Sequence, residues 1–326
     1  MDRIPLTPPE IRPISLKGAR PLWSIMIPVY NSIEYLQEAL ESVLMQAFPT
    51  EQMQIEVVDD ASTDGDVEAL VRNLGKGRIS YYRQINNMGS LRNFETCINR
   101  SYGQLVHILH ADDKVGKGFY QNLGNLFEKY PDAGAAFCRF IHIDEKGNTI
   151  YQQAAEMKEY GRLSEWLFRI AKHNRIQVVA IAVRREVYEK LGGFYALTYG
   201  EDWEMWVRIA RHYPIVYTPE ILAEYRKHLH SITGNKILTG EYIIDLVKAM
   251  NLIQVHLPSS ERKSILKDSK RFYAHYAMRM ANNLWQNFQN KSYVTASMKK
   301  ALMLHHSIKI YFKIAKLYTK MLLNKQ

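Results

Sequence analysis

The sequence predicts an α/β fold: a parallel sheet flanked by helices, followed by a helical C-terminal extension. Three observations carry this prediction. Apolar runs of strand length alternate with apolar residues at helical spacing through the first half of the chain. Acid-rich motifs follow the ends of the inferred strands. Beyond about residue 236 the periodicity is helical alone. Alternation at this interval favours right-handed crossovers and a parallel sheet.

The elements follow in order. Residues 1–21 hold five prolines and read as an irregular arm. Trp23 to Ile27 is a buried-strand pattern stopped by Pro28. Asn31 or Ser32 can cap a helix through Ile33, Leu36, Leu40, Val43 and Leu44. Gln54 to Val58 reads as a second strand, Val67, Leu70 and Val71 as a helix, and Ile79 to Tyr82 as a third strand. Gly89 to Ile98 reads as a helix, Leu105 to Leu109 as the fourth strand, with a further helix after Gly118. Strand patterns recur at 135–138, 140–143, 149–151, 178–183, 215–217 and 221–225, and helices at 163–170 and 203–212. This second half predicts α+β structure on the same sheet. The expected organisation is an arm over 1–21, one α/β domain over 22–235 and a helical basic extension over 236–326, broken near Pro258.

Composition narrows the function. With 326 residues, 47% of them hydrophobic and 23% charged, the chain can bury a substantial core. Cys97 and Cys138 are its only cysteines, which suits a reducing compartment rather than a disulfide framework. The first twenty residues lack the apolar run of a signal peptide, and no stretch approaches ~18 consecutive apolar residues. The expectation is a protein of the cytoplasmic side, peripheral to whatever membrane it meets. The net charge of +10 suits phosphorylated partners or an anionic surface. No nucleic-acid-binding module accompanies that charge, so no nucleic-acid partner is expected. Lys299 to Gln326 holds seven lysines and no acid among regularly spaced apolar residues. Such a helix can lie on an anionic membrane or pack on its domain with a solvated lysine face.

The chemistry gathers after the strands. Leu109-His110-Ala111-Asp112-Asp113 puts two carboxylates at the end of a buried strand, where open α/β sheets bind ligands. Adjacent carboxylates repel and are costly to desolvate, so they call for a cation, hydrogen-bond donors or full solvation in a turn. Ile27-Pro28-Val29-Tyr30-Asn31 and Val57-Val58-Asp59-Asp60-Ala61-Ser62-Thr63-Asp64 follow two other strands of the same edge. Gly200-Glu201-Asp202-Trp203 opens a helix. No G-x-G-x-x-G follows the first strand and no P-loop motif occurs, which argues against dinucleotide and P-loop readings.

Together and in this order, the four motifs resemble family two of the glycosyltransferases, over roughly residues 22 to 233. The resemblance implies the GT-A fold and transfer of a sugar from a nucleotide donor with inversion. On it, Pro28 and Tyr30 border the nucleobase, and Asp60 accepts the imide proton of a uracil-like base, favouring a UDP-sugar. Arg92, at a helix start that favours phosphate, contacts the donor or serves a structural salt bridge. Asp112 aligns with the family's metal ligand, Asp113 shares that task or contacts the ribose, and the cation is Mn²⁺ or Mg²⁺. The family's usual first acid is replaced by His110, which can hydrogen-bond a ribose hydroxyl. Asp202 corresponds to the catalytic base, with helix capping as the alternative, and Glu201 and Trp203 line the acceptor site. Gly192-Gly193-Phe194 matches a family turn. Tyr225-Arg226-Lys227-His228 matches its closing segment, in which His228 ligates the metal or contacts the diphosphate and Arg226 helps neutralise it; His230 has no matching role. The implied acceptor is a glycan or lipid-linked glycan in surface polysaccharide synthesis. The rivals are a nucleotidyltransferase on a related sheet and a non-catalytic nucleotide-sugar or glycan-binding protein.

Overall fold

A computed structural model describes residues 2–14, 18–229 and 231–323. Met1, His230 and residues 15–17 and 324–326, on which parts of the arm, the closing segment and the basic tail fall, lie outside the described residues. The elements are β1 (Trp23–Val29), α1 (Ile33–Leu44), β2 (Met53–Asp59), α2 (Val67–Gly75), β3 (Ser80–Arg83), α3 (Ser90–Arg100), β4 (Leu105–Ile108) and β5 (Lys114–Val115). They continue with α4 (Phe119–Lys129), β6 (Ala135–Ile143), β7 (Thr149–Gln152), β8 (Gly161–Arg162), α5 (Trp166–Lys172), β9 (Ile181–Arg184), α6 (Arg185–Leu191), α7 (Glu201–His212) and β10 (Ile215–Arg226). Helices α8 (Ile232–Thr239), α9 (Tyr242–Ile253), α10 (Ser259–Phe288), α11 (Lys291–Leu304) and α12 (Ile308–Leu323) complete the chain, with the expected break at Pro258.

The chain divides into two units. The first comprises residues 1–166, 176–198 and 208–227; the second comprises 167–175, 199–207 and 228–326.

The first unit is built on one sheet of order β3-β2-β1-β4-β9-β6-β10-β5. β1, β2, β3 and β4 are parallel, with Trp23 opposite both Met53 and Leu105. Both faces of β1 are covered, so it reads as a continuous apolar run rather than an alternation. Trp23, Ile25, Ile27 and Val29 join Leu36, Leu40 and Phe119 in the core, while Ser24 accepts the Gly103 N–H at 2.7 Å on the other side. The sheet is mixed, because β9 runs antiparallel to both β4 and β6. The apolar run 178–183 therefore splits into a 3₁₀ turn and β9, and the two short strands expected over 215–225 are one bulged strand, β10.

Strand β1 does not stop at Pro28 but runs on to Val29. The Val29 carbonyl accepts the Asp60 N–H on the β2 side, so the proline's missing donor faces β4, whose pairing has ended at Ile108. The α1 cap also differs: Ser32 makes no side-chain cap bond, and Asp64 instead accepts the Ile33 N–H at 2.9 Å. The arm is irregular but held. Gly193 N–H donates to Pro9 and Ala196 N–H to Pro5, and Ile11 is buried. A Cβ at Gly192, whose φ is +78°, would meet Pro8 at 2.7 Å, so the Gly-Gly turn seats the arm.

The second unit contains α8 to α12 and claims 167–175 and 199–207 through specific bonds. The Trp203 indole donates to the Ile170 carbonyl at 2.7 Å, Ser269 donates to Ala171 at 3.2 Å, and Asn174 N–H donates to the Tyr273 hydroxyl at 3.1 Å. The unit accordingly takes in Asp202 together with residues 228–326.

Burial, full for His107 and His142 and partial for His173, holds three histidines in neutral form. His107 in β4 sits between the Tyr120 hydroxyl (3.2 Å) and the Val179 carbonyl (3.0 Å), and burial pushes its pKa down to about 3. Burial does the same to His142 and His173, each also to about 3. A depressed folded pKa means that protonation favours the unfolded chain. The stabilisation is thus full above pH 6.5 and lost as pH falls toward 3. The melting temperature is expected to drop steeply across that window, each histidine costing about 1.4 kcal/mol per pH unit. His107→Gln should give a shallower acid limb; an unchanged slope refutes the assignment.

Candidate active site

The carboxyl ends of β1, β2 and β4 lie side by side, and the strand order reverses between β1 and β4. In α/β sheets this reversal leaves a crevice for ligands. Tyr30 leaves β1 there with 49% of its surface exposed, which gives it an open ring face. Asn31 and Ala61, just past β1 and β2, both adopt left-handed backbone, φ +48° and +61°. The Asn31 side chain accepts the Thr63 N–H at 2.7 Å and its own N–H donates to Ser62. Two loops are thereby tied together beside Tyr30.

The paired acids of the second motif divide their tasks. Asp59 is fully buried and accepts from Tyr81, Arg83 and the Ser62 N–H, an anchor within the sheet edge. Asp60, 1% exposed, accepts the Met88 and Gly89 N–H groups at 2.7 and 2.8 Å, one on each oxygen. Burial pushes its pKa up, and these two donors pull the other way. Gly89, with φ +91°, is the residue that lets its N–H turn toward Asp60 at the start of α3. The carboxylate expected to meet a base thus clamps the loop before α3. Arg92 takes the structural alternative: its guanidinium pairs with Glu95 at 2.6 Å and donates to the Asp2 carbonyl at 2.8 Å. Pro28 is buried within its strand.

The centre of the site is His110-Ala111-Asp112-Asp113. Asp113 is 1% exposed; its Oδ1 accepts the Arg226 N–H at 2.9 Å, and its Oδ2 is buried with no hydrogen-bond partner. His110 Nδ1 lies 4.0 Å from that oxygen, and its buried Nε2 likewise has no partner. One ligand atom from each of His110, Asp112 and Asp113 lies within 4.8 Å of the others. Burial and then the Asp112 charge push the Asp113 pKa far up, while burial holds His110 neutral. The His110 ring is stacked on Phe94, centroids 5.3 Å apart. Two carboxylates and a neutral imidazole, with two orphaned buried atoms, fit a divalent cation. The carboxylates suit Mn²⁺ or Mg²⁺, and the imidazole favours Mn²⁺. The sequence reading gave His110 a ribose contact; the geometry groups it with the acids.

Arg226 is not available to a diphosphate. Its guanidinium, fully buried, donates to the carbonyls of Asp112, Asp144 and Glu145 and to Glu38 Oε2 at 2.9 Å, with the Tyr35 ring below it. It locks the Asp112-Asp113 turn in place instead. Nothing in the spacing of Glu38 and Arg226, 188 residues apart, announces that pairing.

In the second unit Glu201 and Asp202 open α7. Asp202 accepts from Asn174 Nδ2 at 2.8 Å and from the Trp203 N–H at 2.7 Å. Burial raises the pKa of both acids, and the Asp202 charge pushes Glu201 higher still, so Glu201 keeps its proton longer. The Glu201 Oε2 is buried without a hydrogen-bond partner. Trp203 offers no ring face for a sugar: it is a fully buried core side chain against Tyr273, with its N–H bound to Ile170. His228 lies between β10 and α8, where its carbonyl accepts from Ser231.

Comparison with known proteins places these features in context. The family described as Glycosyl transferase family 2 matches residues 24–192. An uncharacterized protein of Mycobacterium tuberculosis is 26% identical over 71% of this chain and 75% of its own length. An uncharacterized glycosyltransferase of Rickettsia typhi is 26% identical over 64% of each chain. Among solved structures, S. aureus TarS in complex with UDP-GlcNAc superposes with TM-score 0.63 at 16% identity, over 85% of this chain and 79% of that one. The mannosyltransferase PcManGT of Pyrobaculum calidifontis, in complex with GDP-Man and Mn²⁺, gives 0.54 at 18% identity, over 99% and 91%. At these identities the structural matches establish the fold, that of GT-A glycosyltransferases.

Proposed function

The chain belongs to glycosyl transferase family 2, and from that premise we propose that it moves a sugar from a nucleotide-diphosphate donor to a hydroxyl of a glycan or lipid-linked acceptor, with inversion. The observation that carries this reading is the pair of orphaned buried atoms, Asp113 Oδ2 and His110 Nε2, grouped with Asp112 beside the exposed Tyr30. Tyr30 stacks on the base, and the loop clamped by Asp60 closes the pocket around it. The UDP-GlcNAc and GDP-Man bound by the structural neighbours belong to the same donor class, and UDP is the nucleotide that the resemblance favours.

Asp112, Asp113 and His110 hold the divalent cation, and the resemblance adds His228 to this set. When bound, the cation supplies positive charge that neutralises the diphosphate as it leaves. Asp202 takes the proton of the acceptor hydroxyl while that oxygen bonds the anomeric carbon. The bond from that carbon to the diphosphate oxygen breaks, and the nucleoside diphosphate leaves with its electron pair. The setting we favour is surface polysaccharide or lipid-linked glycan synthesis at the cytoplasmic membrane face. Among the described residues no helix is long and apolar enough to cross a membrane.

The test is a panel of nucleotide sugars read by thermal shift, with Mn²⁺ and with EDTA. At least one UDP-sugar is expected to raise the melting temperature with Mn²⁺ and not with EDTA, the stabilisation being about 2.7 kcal/mol at a hundred times its Kd. Release of nucleoside diphosphate should show the same metal dependence. Identical melting under every condition, with no release, overturns the reading.

A further inference from the structure

The second unit holds a separate cavity of about 570 Å³, lined from the end of α5, α10, the α11–α12 connection and the start of α12. Four of its ten lining residues, Lys172, Arg271, Arg279 and Lys309, are cationic, three are histidines and one is acidic. That acid, Asp268, is already paired with Lys172 at 3.2 Å and Arg271 at 3.0 Å. Arg279 and Lys309 line the same cavity and form no ion pair among the described residues. His275 on α10 accepts from Lys313 Nζ on α12 at 3.1 Å. Burial, and then Lys313, His305, Arg279 and Lys309, push the His275 pKa down, the signature of like charges gathered at one place. One wall is apolar and flat: the His173 and Phe272 rings stack 3.9 Å apart at 11°.

We propose that this cavity binds a phosphate monoester or diphosphate group carried on a larger molecule. Arg279 and Lys309 supply the charge-assisted donors, with the Ser307 hydroxyl between α11 and α12 as a further partner. The volume exceeds what a phosphate alone fills and leaves the Phe272–His173 wall for the group that bears it. Two sources share this chemistry, a lipid phosphate and a soluble phosphate ester. The surroundings favour the lipid: Ile308 and Phe312, beside Ser307 and Lys309 in sequence, are 87% and 72% exposed. An acyl chain would find apolar side chains there. The cavity is lined by residues of the second unit alone, and the proposal does not rest on the donor reading.

The full chain is tested in EDTA, which removes metal-dependent donor binding. One arm is flotation with vesicles of phosphatidylcholine, with and without phosphatidic acid. The other is thermal shift with inorganic pyrophosphate. The cavity variant is Arg279→Gln with Lys309→Gln; the control, Lys263→Gln with Lys267→Gln, removes the same charge from exposed positions about three and four turns before Arg279 on α10. The native chain and the control should bind phosphatidic acid vesicles, and the cavity variant should bind about tenfold more weakly. A pyrophosphate shift that the cavity variant alone loses, without flotation, supports the site with a soluble ester as its source. Equal loss in both variants, or no response to either probe, overturns the proposal.

Discussion

Asp202→Asn is expected to lower turnover by about 10²–10⁴-fold while leaving donor-induced thermal stabilisation intact. The substitution keeps the shape of the side chain, and its single oxygen can still accept from one of the two donors, Asn174 Nδ2 and the Trp203 N–H, so the start of α7 should hold. It removes the only lone pair basic enough to take the acceptor proton. The pH profile separates this role from a structural one. Burial raises the Asp202 pKa above the ordinary aspartate value of 3.8, and a base must be unprotonated to work. Native turnover should therefore rise with pH through a limb above that value, and the limb should vanish in the variant. Glu201, held protonated by burial and by its neighbour, does not compete for the role at neutral pH. Native turnover in a folded Asp202→Asn protein would remove Asp202 from the mechanism.

Asp113→Asn should separate stability from function. In the metal-free protein, Asp113 is a buried carboxyl with one unpartnered oxygen and a neighbouring charge. Its folded pKa lies far above its unfolded value, so its stabilising contribution is present below about pH 4 and lost as pH rises through the folded value. Asn does not titrate, and its oxygen can still accept the Arg226 N–H. The variant should therefore melt higher than the native chain in EDTA at neutral pH, by the equivalent of about 1–3 kcal/mol. With Mn²⁺ the order should reverse, because the native protein gains the cation's binding energy and the variant loses most of it. Sugar transfer should fall at least about tenfold to a hundredfold. Equal Mn²⁺-induced shifts in both proteins would show that Asp113 is not a ligand.

Local pattern carried much of the fold. The alternation over the first half of the chain specified β1 to β4 and the helices between them, because β1, β2 and β4 are buried along their whole length, while β3, a partly exposed edge strand, followed from its place in the alternation. The strand-end motifs located the site edge for the same reason. Other features depend on partners remote in sequence. An antiparallel β9 beside parallel neighbours looks no different, residue by residue, from any apolar strand. Asp59 and Asp60 are adjacent and chemically identical, and only the positions of Arg83 and of the 88–89 amides decide which is anchor and which is clamp. Trp203 after two acids reads equally as a sugar platform or a core residue until Ile170 and Tyr273 surround it. Arg226 is a cation near a proposed diphosphate in sequence terms, yet three backbone carbonyls and Glu38 consume its donors.

The N-terminal arm has a consequence for biosynthesis. Pro5 and Pro9 leave the ribosome well before their partners Ala196 and Gly193, which come nearly two hundred residues later. At about 5–20 residues per second that is a wait of roughly 10–40 s. During it Ile11 has no core to enter, since its burial needs the same late-made turn. The arm can fasten only once the 193–196 turn has been made, and a nascent chain stalled before residue 190 should present it to proteases that the finished protein resists.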